Sequence, residues 1–169
     1  MDRCFDPPVC RVLIAKADRL CAQTLNEAVR TTFPGAVRVI VRSLAEARSA
    51  FDRSGFDLVV AGVNFGDGEI FDLIEGLPSS RERRVLIVAA RPTRSVVRRL
   101  SELPVVGIFD AAAEDPEDLM FALLNASLGL PCLSAALALE PWPVRTQRAA
   151  MRARPHAAPI LATHDRGAW

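Results

Sequence analysis

The chain has no C-x-x-C pair and no histidine-rich neighbourhood, although it carries cysteines at Cys4, Cys10, Cys21 and Cys132. Thiolate and imidazole metal sites need such clustering, so no metal is expected, and reduced thiols suit a cytoplasmic protein. An excess of charge of one sign is also lacking. A net charge of +1 and a pI of about 7.7 give no global pull toward nucleic acid or a membrane surface. No apolar run approaches the ~18 residues of a membrane span. Met1 to Val9 carries Asp2 and Asp6 beside two prolines and lacks the apolar centre of a signal peptide. What remains is a chain of 169 residues, 50% hydrophobic, long enough to bury the core of one ordinary domain.

The organising stretch runs from Asp57 to Gly68. Leu58-Val59-Val60-Ala61-Gly62-Val63 is almost uninterruptedly apolar and gives way to Asn64-Phe65-Gly66-Asp67-Gly68. That pattern reads as a strand buried on both faces and emerging at a sheet edge. In an α/β domain, ligands and chemistry sit beyond the carboxyl ends of the strands. Gly62 and Val63 are therefore expected where an active site would be, with a glycine that has no side chain to react.

The flanking segments repeat one unit. Arg11 to Ala15 reads as a strand, Asp18 as a helix cap, and Cys21, Leu25, Ala28, Val29 and Thr32 as the apolar stripe of the helix that follows. Val37 to Val41 reads as the second strand, and Ser43 and Glu46 have capping-box spacing before a helix that buries Leu44, Ala47 and Phe51. Ile70, Phe71, Leu73, Ile74 and Leu77 suggest a short helix closed by Pro78. Val85 to Ala90 reads as a strand, followed by a helix with Val96, Val97 and Leu100 on one face. Val105 to Phe109 reads as the fifth strand. Asp115-Pro116-Glu117-Asp118 then starts a helix with a stripe of Leu119, Met120, Leu123 and Leu124 that ends at Gly129. Right-handed crossovers between such units imply a parallel sheet covered on both faces.

These residues resemble a response-regulator receiver domain of the CheY and NarL/FixJ type over residues 11 to about 139. The resemblance rests on Asp57-Leu58-Val59-Val60 followed by Asn64-Phe65-Gly66-Asp67-Gly68, and on Gly107-Ile108-Phe109 followed by Asp115-Pro116-Glu117-Asp118-Leu119. Leu130 to Leu137 is similar to the segment that links NarL-type receivers to a DNA-binding helix-turn-helix. It implies a doubly wound five-stranded parallel sheet in the order 2-1-3-4-5, with a pocket among strands one, three and five. The domain is read as 11–129, after an extension at 1–10 and before a linker-like segment at 130–139.

The same resemblance places the family's phosphorylation chemistry on residues that cannot perform it. The phosphoacceptor aspartate corresponds to Gly62, the Mg²⁺-holding acids to Lys16 and Ala17, the hydroxyl residue to Ala89, and the lysine to Ala111. Asp57 cannot substitute, being about 16 Å from Gly62 at 3.3 Å per residue. Asp110 adjoins Ala111 but is expected on the other face of its strand. Asp18 and Asp67 lie in loops near the pocket, but Lys16 puts positive charge where Mg²⁺ needs oxygen ligands. Lys16 either pairs with Asp18, Asp67 or Asp110, or snorkels to solvent. The expectation is a degenerate pseudo-receiver that uses no cofactor, metal or small-molecule substrate and is not an enzyme.

Function would then lie in binding. Arg94, Arg98 and Arg99, near Glu117 and Asp118, form a candidate face for a homodimer or a charged protein partner, with an ordinary solvated surface as the alternative. Residues 140–169 are rich in proline, alanine and arginine, with Arg145, Arg148, Arg152, Arg154 and Arg166 against Glu140 and Asp165. They read as a disordered extension, as a basic arm touching nucleic acid or an acidic partner, or as a terminal helix. They have neither the length nor the periodicity of a helix-turn-helix domain. DNA is thus the secondary partner class.

Overall fold

Short runs of Val, Ile and Leu, bounded by polar turns, form strands that can be covered on both faces. The computed structural model describes residues 9–76 and 84–137. In chain order these form β1 (Arg11–Ala15), α1 (Arg19–Thr32), β2 (Val37–Val41), α2 (Leu44–Arg53) and β3 (Leu58–Ala61). A small antiparallel hairpin of β4 (Asn64–Phe65) and β5 (Gly68–Glu69) leads into α3 (Ile70–Glu75). Then come β6 (Arg84–Ala89), α4 (Arg94–Ser101), β7 (Gly107–Asp110), α5 (Pro116–Ser127), β8 (Cys132–Leu133) and a 3-10 turn at Ala135–Leu137.

The main sheet is parallel, in the order β2-β1-β3-β6-β7-β8. With the β4-β5 hairpin set aside, its first five members follow the expected 2-1-3-4-5 order of a doubly wound α/β sheet. The sixth, β8, falls in the segment read as linker-like, which is instead hydrogen-bonded into the sheet. Cys132 N donates to Val106 O at 3.1 Å and Ser134 N to Ile108 O at 3.0 Å. Gly107 makes this possible: a Cβ there would stand 2.0 Å from the Cys132 carbonyl oxygen.

Strand side chains alternate between two apolar layers. Leu13, Ala15, Val59, Val85 and Ile87 share one with Leu44, Phe51, Phe71, Val97 and Leu100 from α2, α3 and α4. Val12, Ile14, Val60, Leu86 and Val88 share the other with Leu25 and Val29 of α1 and Leu119 and Leu123 of α5. Two helix stripes differ from expectation. In α1 the buried residues are Ala22, Leu25 and Val29, and Cys21 is exposed. In α5 Ala122 and Ala126 face the core with Leu119 and Leu123, and Leu124 is exposed. Small alanines let both helices lie close to the sheet, so the largest apolar residues are not all the buried ones.

Helix starts follow their caps. Asp18 accepts from Cys21 N at 2.7 Å, and Ser43 Oγ accepts from Glu46 N at 3.1 Å. Glu46 reaches back to Arg42 N at 2.7 Å, one residue before the Ser43 cap. Gly129, at φ 70°, closes α5 in the left-handed conformation that suits glycine. No helix among the described residues is long and apolar enough to cross a membrane. The expected stop at Pro78, the extension before Val9 and the basic tail lie outside the described residues.

Candidate functional site

The carboxyl ends of β1, β3 and β6 open into a groove of about 390 Å³ whose lining includes Lys16, Ala17, Asp18, Asn64, Ala89 and Arg91. It lies over the switch between β1 and β3, where a doubly wound sheet places its ligands. Lys16 keeps its backbone in the sheet by donating to Val41 O at 3.0 Å, and its side chain passes over Gly62, just beyond the end of β3. There Lys16 Nζ donates to the Val88 carbonyl at 3.1 Å. A Cβ on Gly62 would lie 2.8 Å from Lys16 Cδ and 3.0 Å from Nζ. The lysine thus occupies the space that a side chain at position 62 would need.

Lys16, Ala17 and Ala89 share the groove wall, with Gly62 beneath the Lys16 side chain. Ala111 is exposed just after β7, outside that lining, and its N–H donates to Ala89 O at 2.8 Å.

The acids offered as partners for Lys16 are engaged elsewhere, and among the described residues Lys16 forms no ion pair with any of them. Asp18 caps α1, and the amide of Cys21 is the main reason its carboxyl is held below the ordinary aspartate value. Asp67 accepts from Leu44 N and Ala45 N, both at 2.9 Å, so the loop after β3 caps α2. Those two amides hold its carboxyl low in the same way. Asp110 is buried, and its Oδ1 accepts from Arg91 N at 2.8 Å and Ala112 N at 3.0 Å. Asp57, at the far end of β3, accepts from Cys10 N at 2.8 Å and Arg11 N at 2.9 Å. Lys16 therefore meets neither expectation in simple form: its amine is partly buried and held by a backbone carbonyl. No group of three or more His, Cys, Asp or Glu among the described residues is placed to hold a metal ion.

Arg91, also in the groove lining, stands out by its backbone. Its φ of 51° is in the left-handed region that non-glycine residues seldom adopt, and the Asp110 carboxylate fixes its N–H there.

The arginines of α4 divide into two groups. The Arg99 guanidinium stacks 4.0 Å from the centroid of the Phe71 ring and reaches Glu69 at 3.4 Å and Glu75 at 3.5 Å. It is thus turned toward α3, away from the acids of α5 with which it was grouped. Arg94 and Arg98 are exposed, line a shallow groove of about 560 Å³ with Ser95 and Glu102, and form no ion pair among the described residues. Asp118 accepts from Asp115 N at 3.2 Å, which engages it at the start of α5, and Glu117 is exposed.

Sequence reasoning missed Val88, Arg91 and Ser134. Val88 contributes a carbonyl, which residue identity does not reveal. Arg91 lies in a loop with no motif. Ser134 Oγ accepts from Asp110 N at 2.6 Å and ties β8 to the end of β7; the two-residue strand before it is too short to leave a periodic signal in the sequence.

Comparison with family models and with curated protein sequences gives no match. Solved structures do match. The isolated REC domain of RcsB from Salmonella enterica serovar Typhimurium, with the phosphomimetic BeF3-, superposes with a TM-score of 0.64 at 14% identity, covering 77% of this chain and 96% of that one. A CheY-like receiver domain protein from Methanospirillum hungatei JF-1 gives 0.62 at 15% identity, covering 71% and 97%. A CheY-like receiver domain from Methylobacillus flagellatus gives 0.58 at 20% identity, covering 70% and 98%. The fold of this chain is that of the CheY-like response-regulator receiver domain.

Proposed function

We propose that the chain is a pseudo-receiver in bacterial signal transduction that acts by binding a protein partner or a second copy of itself, without aspartyl phosphorylation. One observation carries this reading: Lys16 fills the space in front of Gly62 and donates to Val88 O at 3.1 Å. Phosphoryl transfer to a protein needs an in-line nucleophile and neutralisation of the transferring group. Here the strand end offers a glycine, and the nearby acids are spent on backbone amides.

Carboxylates clustered without a cation repel one another, so Gly, Ala and Lys at these positions favour one fixed conformation. Output then depends on a constant surface, for which Arg94 and Arg98 supply cations free of ion pairs among the described residues. The arginines of 140–169 support a second reading, a transcription-associated regulator that dimerises and reaches DNA through the tail or a DNA-binding partner.

The test is affinity capture from the native cell with the full chain as bait, with and without acetyl phosphate and Mg²⁺. The reading predicts the same partners in both conditions and loss of one with Arg94→Glu/Arg98→Glu. Partners that appear only with the phosphodonor contradict it. A salt-sensitive gel shift, abolished by deleting 140–169, would favour the second reading.

A further inference from the structure

The two edges of the main sheet differ in how they meet solvent. β8, at one edge, is 2 residues long and is followed by Ser134, whose N–H and hydroxyl are both bonded to β7. β2, at the other edge, runs for 5 residues, Val37-Arg38-Val39-Ile40-Val41, in unbroken register with β1 and without a proline. Short strands, bulges, prolines and outward charges are the devices that keep an open edge from pairing with another chain. β2 has only the charge of Arg38, and that guanidinium turns back to Ala36 O at 3.1 Å. Val37 and Ile40 are apolar and 57% and 45% exposed.

The backbone of β2 has one unpaired side. Val37 N donates to Cys10 O at 2.8 Å and Val41 O accepts from Lys16 N at 3.0 Å, so by alternation Val37, Val39 and Val41 turn their N–H and C=O groups to β1. Arg38 and Ile40 turn theirs outward, where the sheet has no further strand. The positions flanking them are closed. Arg42 N donates to Glu46 Oε2 at 2.7 Å, and Ala36 N to Phe33 O at 3.1 Å. The open edge is therefore Arg38 to Ile40.

We infer that β2 pairs with β2 of a second copy of this chain, antiparallel about a twofold axis at Val39, so that two sheets become one. That register sets Arg38 of each copy opposite Ile40 of the other, in pairs that exchange N–H···O=C bonds both ways. Val39 then faces Val39, and Val37 faces Val41, in the non-hydrogen-bonded pairs where side chains come closest. Val37 is covered by a valine, and Ile40 by the aliphatic stem of Arg38. Neighbouring registers are poorer. An axis at Arg38 sets guanidinium against guanidinium and calls on Ala36 N, and an axis at Ile40 sets Arg38 against Arg42 and calls on Arg42 N; both amides are already engaged. The contact uses one patch on both copies, so it closes at a dimer. The inference deepens the proposed binding to a second copy and rests on that reading.

The test is sedimentation equilibrium of the full chain from about 5 to 500 µM, a range suited to the weak association that so small a contact supports. Amide hydrogen exchange is measured at both ends of it. A monomer–dimer equilibrium is expected, with slower exchange at Arg38 and Ile40 in the dimer and no change at Val39 and Val41, which are already bonded to β1. Ile40→Lys sets like charges opposite each other twice by symmetry and is expected to weaken the dimer at least about tenfold. Ile40→Pro removes an outward N–H and no bond to β1, and is expected to do the same while the chain keeps a cooperative thermal transition. A monomer at every concentration, a dimer unaffected by both variants, or unchanged exchange at Arg38 and Ile40 in the dimer overturns the inference. A dimer lost with Arg94→Glu/Arg98→Glu but kept with Ile40→Lys overturns this edge and supports the proposed function through α4. Partners captured only with a phosphodonor contradict that function, whereas sedimentation and exchange alone decide the edge.

Discussion

Lys16 and Gly62 are sterically complementary: a Cβ at Gly62 would stand 2.8 Å from Lys16 Cδ, closer than real Cβ contacts come. Gly62→Asp therefore forces the lysine out of its place. Because the obstructing atoms belong to a flexible side chain, the variant is expected to fold, at a cost of about 1 to 2 kcal/mol. Urea denaturation measures it. In a double-mutant cycle, Lys16→Ala should recover part of that loss. An additive cycle would show that the two side chains do not compete for this space. Since no acidic residue follows β1 at positions 16 and 17, Gly62→Asp alone is also expected to take no label from acetyl phosphate.

Gly107 holds a similar place at the sheet's edge. With the Cys132 carbonyl oxygen only 2.0 Å from a Cβ there, and the obstruction being backbone, Gly107→Ala is expected to detach β8. The expected loss is about 1 to 3 kcal/mol. Hydrogen exchange should show faster exchange at the amides of Cys132 and Ser134, with β1 and β3 unaffected. Unchanged protection at those amides would mean that β8 does not pair as described.

The Cys132 thiol is pushed up to about 12, first by burial and then by the nearby Glu114 carboxylate. A raised thiol favours the neutral form in the fold. Its contribution is therefore complete below the ordinary thiol value near 9 and is lost as pH rises from there toward 12. Alkylation with iodoacetamide at pH 8 should label Cys10 and Cys21, which are exposed, well before Cys132. Removing Cys132 by conversion to alanine should flatten the alkaline fall in melting temperature.

Asp67 behaves in the opposite sense. The amides of Leu44 and Ala45 depress its carboxyl below the ordinary aspartate value, so its contribution is present above that value and lost as pH falls through the lowered one. Asp67→Ala should lower the melting temperature by a few degrees at neutral pH. The gap to the parent chain should close in acid. A constant gap across the acid range would rule out the carboxylate as the cap of α2.

The strand order and the two-layer core were legible because they rest on side-chain identity and period: the run Leu58-Val59-Val60-Ala61 could be little else than a doubly covered strand. That Gly62, Ala89 and Ala111 carry no reactive side chain was legible from their identity alone, whereas the place of Ala111 outside the groove lining was not. The Lys16 contact was not, since its acceptor is a carbonyl of β6, more than seventy positions along the chain. The strand at Cys132–Leu133 was hidden by its length of 2 residues, too short for any period to show. Leu124 and Cys21 were misplaced because hydrophobicity ranks them above Ala126 and Ala22, whereas close helix-to-sheet packing favours the alanines.

The most direct test of the account is the intact mass of the full chain after incubation with acetyl phosphate and Mg²⁺, measured before and after mild alkaline hydrolysis. With Lys16 seated over Gly62, no base-labile phosphoryl adduct is expected at any donor concentration. A stoichiometric adduct that requires Mg²⁺ and maps to a carboxylate beside β1, β3 or β7 would contradict it.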